Sequence, residues 1–179
     1  FPTTIKTTQG SALLFDGIDQ AVLIDTDPLE NAEEFTIEAV IKPDSSTNPI
    51  NKEQRFIHIR ETDAKRILLE TRLFPNQTWV LDSFVGSDIS HCTLIDSAKT
   101  HPAGKWYHVA LVYKNGVMKH FINGEKELED KIDFRPLGKG TISIGARQNP
   151  KSWFKGAIAK IRFSKCALEP KDFINFVAE

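Results

Sequence analysis

The sequence predicts an all-β domain in which two antiparallel sheets pack face to face. Three observations predict it. Apolar side chains recur at every second position through several short runs, the period of a half-buried strand. Asn-Gly falls between β-rich runs at Asn115-Gly116 and again at Asn123-Gly124, where both residue types tolerate the positive φ of a tight hairpin turn. No helical pattern is long enough to carry the crossover that parallel strands require.

Taken in order, Ser11-Ala12-Leu13-Leu14-Phe15 is a strand that ends at the turn Asp16-Gly17. Ala21-Val22-Leu23-Ile24 follows and stops at Asp25-Thr26-Asp27-Pro28. From Phe35 to Pro43 the alternation places Phe35, Ile37, Ala39 and Ile41 on one face and Thr36, Glu38 and Val40 on the other. The polar stretch 44–54 reads as a loop. Arg55 to Arg60 and Arg66 to Leu73 alternate again, joined by the hairpin-like Glu61-Thr62-Asp63-Ala64-Lys65, and Thr78 to Val85 is a further strand ended by Gly86. The clearest unit is Trp106 to Tyr113, the Asn115-Gly116 turn, and Val117 to Ile122. Thr141 to Gly145 and Ala157 to Phe163 close the sandwich. Only residues 169–176 read as a short helix, with Pro170 suited to its first turn. Many short strands at short spacing, without repeat or linker, make residues 1–179 one domain.

Composition narrows the function classes. At 179 residues, 40% hydrophobic and 26% charged, the chain has the makeup of an ordinary globular domain that folds without staples. A net charge of -1 gives no global field for nucleic acid or an anionic membrane. No apolar run approaches the ~20 residues of a membrane helix. No signal peptide is visible, and Phe1-Pro2-Thr3-Thr4 reads as a trimmed or mature end. Cys92 and Cys166 are either one bridge or two free thiols.

The segments from Ala12 to Gly17, from Phe35 to Pro43, from Trp106 to Gly124, and from Ile144-Gly145-Ala146 through 154–162 to Ala167-Leu168 resemble, in that order, laminin-G-like domains of the concanavalin A-like lectin/glucanase superfamily. The resemblance implies a jelly-roll sandwich and an extracellular, periplasmic or cell-surface setting. Its functions range over lectins, glycosidases, lyases and structural modules, so the fold alone assigns no activity. Many members carry an acidic residue where this chain has Ala159, and several bind calcium. Without that carboxylate no cofactor is expected, although Asp16, Asp25 and Asp27 remain oxygen ligands for calcium.

Candidate chemistry is sparse. Glycosidases of this fold set two carboxylates about 5–5.5 Å apart when retaining. Glu61-Thr62-Asp63 lacks a third carboxylate and sits at a turn, while Glu127-Leu128-Glu129-Asp130 has no apolar strand around it; both read as solvated loop charge. His58, His91, His101, His108 and His120 show no metal-ligand spacing and read as half-exposed strand histidines. His91-Cys92 would point to opposite faces of a strand, and no nucleophile elbow or phosphate loop is present. The sequence therefore leans away from an enzyme. Aromatics on loops offer recognition instead, because Trp covers the apolar face of a sugar ring while polar neighbours bind its hydroxyls. Trp153, with Arg147, Gln148 and Asn149 beside it, forms one such group, and Trp79 after Pro75-Asn76-Gln77-Thr78 is a second candidate. Each Trp either contacts a ligand or plugs an end of the sandwich, and Trp106 reads as core. Asn76-Gln77-Thr78 is also a glycosylation sequon. The expected function is a non-catalytic carbohydrate-recognition module. The alternatives are an accessory domain that packs on a neighbour and a glycoside hydrolase or polysaccharide lyase.

Overall fold

The computed structural model describes residues 1–45 and 52–178. Fourteen strands run in chain order: β1 (Thr3–Thr7), β2 (Gly10–Asp16), β3 (Val22–Ile24), β4 (Phe35–Pro43), β5 (Glu53–Arg60), β6 (Arg66–Leu73), β7 (Thr78–Gly86), β8 (His91–Leu94), β9 (His101–Pro102), β10 (Tyr107–Lys114), β11 (Val117–Ile122), β12 (Glu125–Lys131), β13 (Thr141–Ile144) and β14 (Lys155–Ser164). They form two seven-stranded antiparallel sheets. Sheet I has the order β1-β2-β14-β4-β10-β11-β12; sheet II has the order β3-β13-β5-β6-β7-β8, with β9 also paired to β7. This is the jelly-roll sandwich the sequence predicts.

Period-two alternation builds the shared interior. Ile37, Val109 and Leu111 of sheet I meet Ile57, Ile59, Ile67, Leu69 and Leu81 of sheet II in one core. The β10–β11 hairpin turns on Asn115 and Gly116, both at positive φ. Its register pairs Leu111 with His120, so His120 points into the core while His108 points out of sheet I. His120 Nδ1 meets Ser83 Oγ at 3.0 Å inside the sandwich.

Four expectations need correction. The stretch 44–54 is not loop throughout, since Glu53 and Gln54 already pair with Arg72 and Thr71; residues 46–51 lie outside the described residues. The segment 125–131 is a strand paired to β11, and Glu127 is held 2.8 Å from His101 Nε2 rather than solvated. His58, His108 and His120 are buried, not half-exposed. The C-terminal segment is not a helix beyond the single 3₁₀ turn Pro170–Asp172. It runs as an extended strap across the outer face of sheet I, because that face offers it better partners than its own backbone would. Ile174 and Phe176 cover Val40, Ala12 and Trp106, and Phe173 covers Ala110 and Phe121. Trp106 is core in this second, outer layer. Beneath the strap lies Glu38, fully buried: its Oε1 accepts from His108 Nε2 (3.0 Å) and Ile174 N–H (2.6 Å), and its Oε2 from Arg162 Nε (2.5 Å). Burial raises the Glu38 pKa, but these donors outweigh it and hold the carboxyl below its ordinary value.

Candidate functional site

Sheet I spends its outer face on the strap. The outer face of sheet II carries charge. A bulge between Arg55 and Ile57 in β5 sends Phe56 and Ile57 together into the core and leaves Arg55 and His58 on the outside. The registers then set four outward rows: Glu53-Arg72-Val80, Arg55-Glu70-Asp82, His58-Leu68-Phe84 and Arg60-Arg66-Gly86.

The middle of this face is an ion network. Arg72 contacts Glu70 (2.9 Å), Asp82 (2.7 Å) and Glu53, while Arg55 Nε lies 2.7 Å from Glu70 Oε2. Burial pushes Glu70 up to about 7 against the attraction of Arg55, and Asp82, directly opposite, adds to the rise. This carboxylate pair was not visible in the sequence reading. Glu70 and Asp82 share one guanidinium and are almost wholly buried, so the pair fixes Arg72 on the face.

The loop between β13 and β14 folds onto one end of the face. Gly145 starts it at φ 86, and an added Cβ would collide with the Phe15 ring, so only glycine fits. Arg147 N–H donates to Lys151 C=O (3.0 Å) and closes the loop on itself. Gln148 N–H donates to His58 Nδ1 (3.2 Å), and its amide Nε2 donates to Thr141 C=O (2.9 Å). On the return, Arg55 N–H donates to Ser152 C=O (2.9 Å), and Arg55 also donates to Ser152 Oγ (2.6 Å). Trp153 is half-buried, with its backbone alongside Arg55. The structure therefore brings Arg147, Gln148 and Trp153 onto one charged face and leaves Asn149 exposed at the loop tip. Gln148 is tied up in holding the loop.

Trp79 does not belong with them. It is 0% exposed, and its ring packs edge-on against Tyr107 at 5.2 Å in the core. The sequence held the signal: Trp79, Leu81 and Val85 fall on one face of β7 by period two, and the other two are plainly core.

Glu61 pairs with Lys65 (2.7 Å) and accepts from Gly138 N–H (2.6 Å); Asp63 pairs with Arg60 at 3.1 Å. Cys92 is buried, Cys166 exposed, and both are free. Among the described residues no three His, Cys, Asp or Glu side chains converge on a metal position. Asp16 Oδ1 instead accepts from Ile18 N–H (2.8 Å), and Asp27 Oδ1 from Leu29 N–H (2.8 Å).

Two sheets in this order, with a loop-capped polar face, define a lectin-like β-sandwich. A family model described as the concanavalin A-like lectin/glucanases superfamily matches residues 16–172, and the chain belongs to that superfamily. Among curated proteins no match is found. Solved structures with the same fold include the heptameric SAP-like pentraxin from Limulus polyphemus (18% identity, 89% of this chain and 77% of that one, TM-score 0.69). Domain 4 of AbnA, an extracellular arabinanase from Geobacillus stearothermophilus in complex with arabinotriose, is similar over 96% of this chain and 78% of its own (20% identity, TM-score 0.65). The botulinum neurotoxin serotype G binding domain is similar over 96% of this chain, which spans 43% of that one (11% identity, TM-score 0.71).

Proposed function

We propose that this domain is a non-catalytic carbohydrate-recognition module that binds sugar at the outer face of sheet II, beside the 145–154 loop, in a protein that works outside the cytoplasm. The observation that carries the reading is the placement of a half-buried Trp153 and an Arg147 with no ion-pair partner among the described residues on one loop over a polar face, while the opposite sheet is covered by residues 173–176. An indole ring face and a guanidinium suit a sugar's C–H face and its oxygens, and such shallow sites bind at ~mM to μM. The AbnA domain, which shares the fold and was solved with arabinotriose, lends support by analogy only. The test is a glycan array with the wild-type domain and Trp153→Ala. Binding that disappears in a variant with unchanged circular dichroism supports the reading, and no glycan bound by the wild type sinks it.

A second reading, an accessory domain docked on a neighbour, has one feature in its favour. The open edge of the sandwich between β2, β3, β13 and β14 holds an apolar groove of about 340 Å³, with Ile24, 38% exposed, in its lining.

A further inference from the structure

The charged face of sheet II divides into a neutralised half and an unneutralised half. Arg55 and Arg72 are matched by Glu53, Glu70 and Asp82, and Arg60 by Asp63. Among the described residues no carboxylate lies within ion-pair distance of Arg66 or Arg147. Arg66 is nevertheless held in place by the Phe84 ring, 4.8 Å beneath its guanidinium carbon, and the backbone of Arg147 is fixed by the closed loop. After burial, Arg147 is the strongest charge acting on Arg66, ahead of the attraction of Asp63, and also the strongest on His58.

His58 supplies the second, independent observation. It is 1% exposed and points out of the sheet beneath the loop. Its Nδ1 accepts the Gln148 N–H, so the neutral ring carries its proton on Nε2. Burial, with Arg147 and Arg55 next in weight, lowers the imidazole pKa to about 3, so the ring is neutral at physiological pH. That Nε2–H is a buried donor with no partner among the described residues, and Arg66 Nε is another. Buried donors left unpaired are costly, and here two stand in a patch of surplus positive charge. A group with several acceptor oxygens and a negative charge would satisfy the donors and the charge together.

We propose that His58, Arg66 and Arg147 form an oxyanion site that takes the carboxylate or sulfate of an acidic sugar. The assignment of the anion to a sugar rests on the carbohydrate reading above. Trp153, on the same loop, is then the ring-facing contact, and the specificity of the module is for charged over neutral saccharides.

The test uses ¹⁵N-labelled domain and the long-range ¹H–¹⁵N signals of the His58 ring. Sodium sulfate added at constant ionic strength against sodium chloride is expected to shift the Nε2 signal in the wild type and to leave it unmoved in Arg147→Ala and Arg66→Gln. Titrations with trigalacturonic acid, a sulfated galactan oligosaccharide and the neutral galactan oligosaccharide then distinguish carboxylate from sulfate. At least one acidic ligand should bind about tenfold or more tighter than the neutral one, with the preference lost in Arg147→Ala. No response of the His58 ring to sulfate or to any acidic sugar overturns the oxyanion site. Equal affinity for neutral and acidic sugars overturns it too, while leaving the carbohydrate reading standing. A sulfate response without any sugar binding overturns the carbohydrate reading and the assignment of the anion to a sugar.

Discussion

Replacing Glu38 with Ala should release the C-terminal strap and cost about 3 kcal/mol of stability. Three donors converge on this fully buried carboxylate, and they differ in what they lose. Arg162 has a side chain 39% exposed, so water and salt screen its share and its charge is not stranded. His108 Nε2 lies beneath the strap and the Ile174 N–H belongs to it, and with the strap docked both would be left unpaired, a penalty of about 1–3 kcal/mol for each such group that favours release. Breaking a fully buried pair costs about 3–5 kcal/mol, and the exposure of Arg162 places this case at the low end. The assay has two parts. Urea unfolding reads the stability, and hydrogen exchange reads the amides of 173–176, where Ile174 N–H now donates to Glu38. Because the Glu38 carboxyl is held below its ordinary value, its contribution is present above the unfolded pKa and is lost as pH falls through the folded one. The mutational cost should therefore be largest near neutral pH and shrink in acid. A loss under about 1 kcal/mol, or unchanged protection of the strap, would refute the claim that this carboxylate anchors it.

Three further outcomes follow from the same geometry. Glu70→Gln should steepen the rise of stability with pH: a carboxyl raised to about 7 costs stability as pH climbs from its unfolded value of 4.5, while His58 and His120, lowered to about 3 and about 4, cost stability as pH falls below 6.5. Unfolding free energies from urea curves at pH 5 and pH 7 should differ by about 2 kcal/mol more in the variant than in the wild type, and an identical difference would contradict the assignment. Gly145→Ala combines a positive φ with a collision against the buried Phe15 ring and should cost about 2–4 kcal/mol by thermal unfolding; a cost below ~1 kcal/mol would show that the loop base is not fixed as described. Trp153→Ala should leave the thermal midpoint within a few degrees of wild type while removing glycan binding, whereas a large drop would make Trp153 a packing residue.

Much of the sandwich was legible because period two is a local signal. Ile37 and Val109 are both buried in the shared core, and the Asn115-Gly116 turn sits where dipeptide chemistry puts it. What the period cannot show is what covers a face. Glu38 and Val40 alternate away from the core as expected, yet they are buried because residues more than a hundred positions later fold back over them. Val40 was the visible hint, an apolar side chain on a face otherwise polar. The strap itself misled because Pro170 and spaced aromatics satisfy a helix pattern, whereas Phe173, Ile174 and Phe176 gain more from docking on sheet I. At the candidate site, the loop carrying Arg147 and Trp153 could be found from sequence, since a Trp on a polar loop is unusual. Its floor could not. Arg66 and His58 are ordinary members of alternating strands until the β5–β6 register and the bulge before Ile57 set them diagonally on one face.

The carbohydrate-binding function proposed for this domain depends on recognition at the outer face of sheet II. Titrating the ¹⁵N-labelled domain with the best glycan from the array and mapping backbone shifts measures that directly. The largest shifts should fall on Arg147, Gln148, Trp153, His58 and Arg66. Shifts confined to the strap over sheet I, or to the apolar groove lined by Val22 and Ile24, would contradict it.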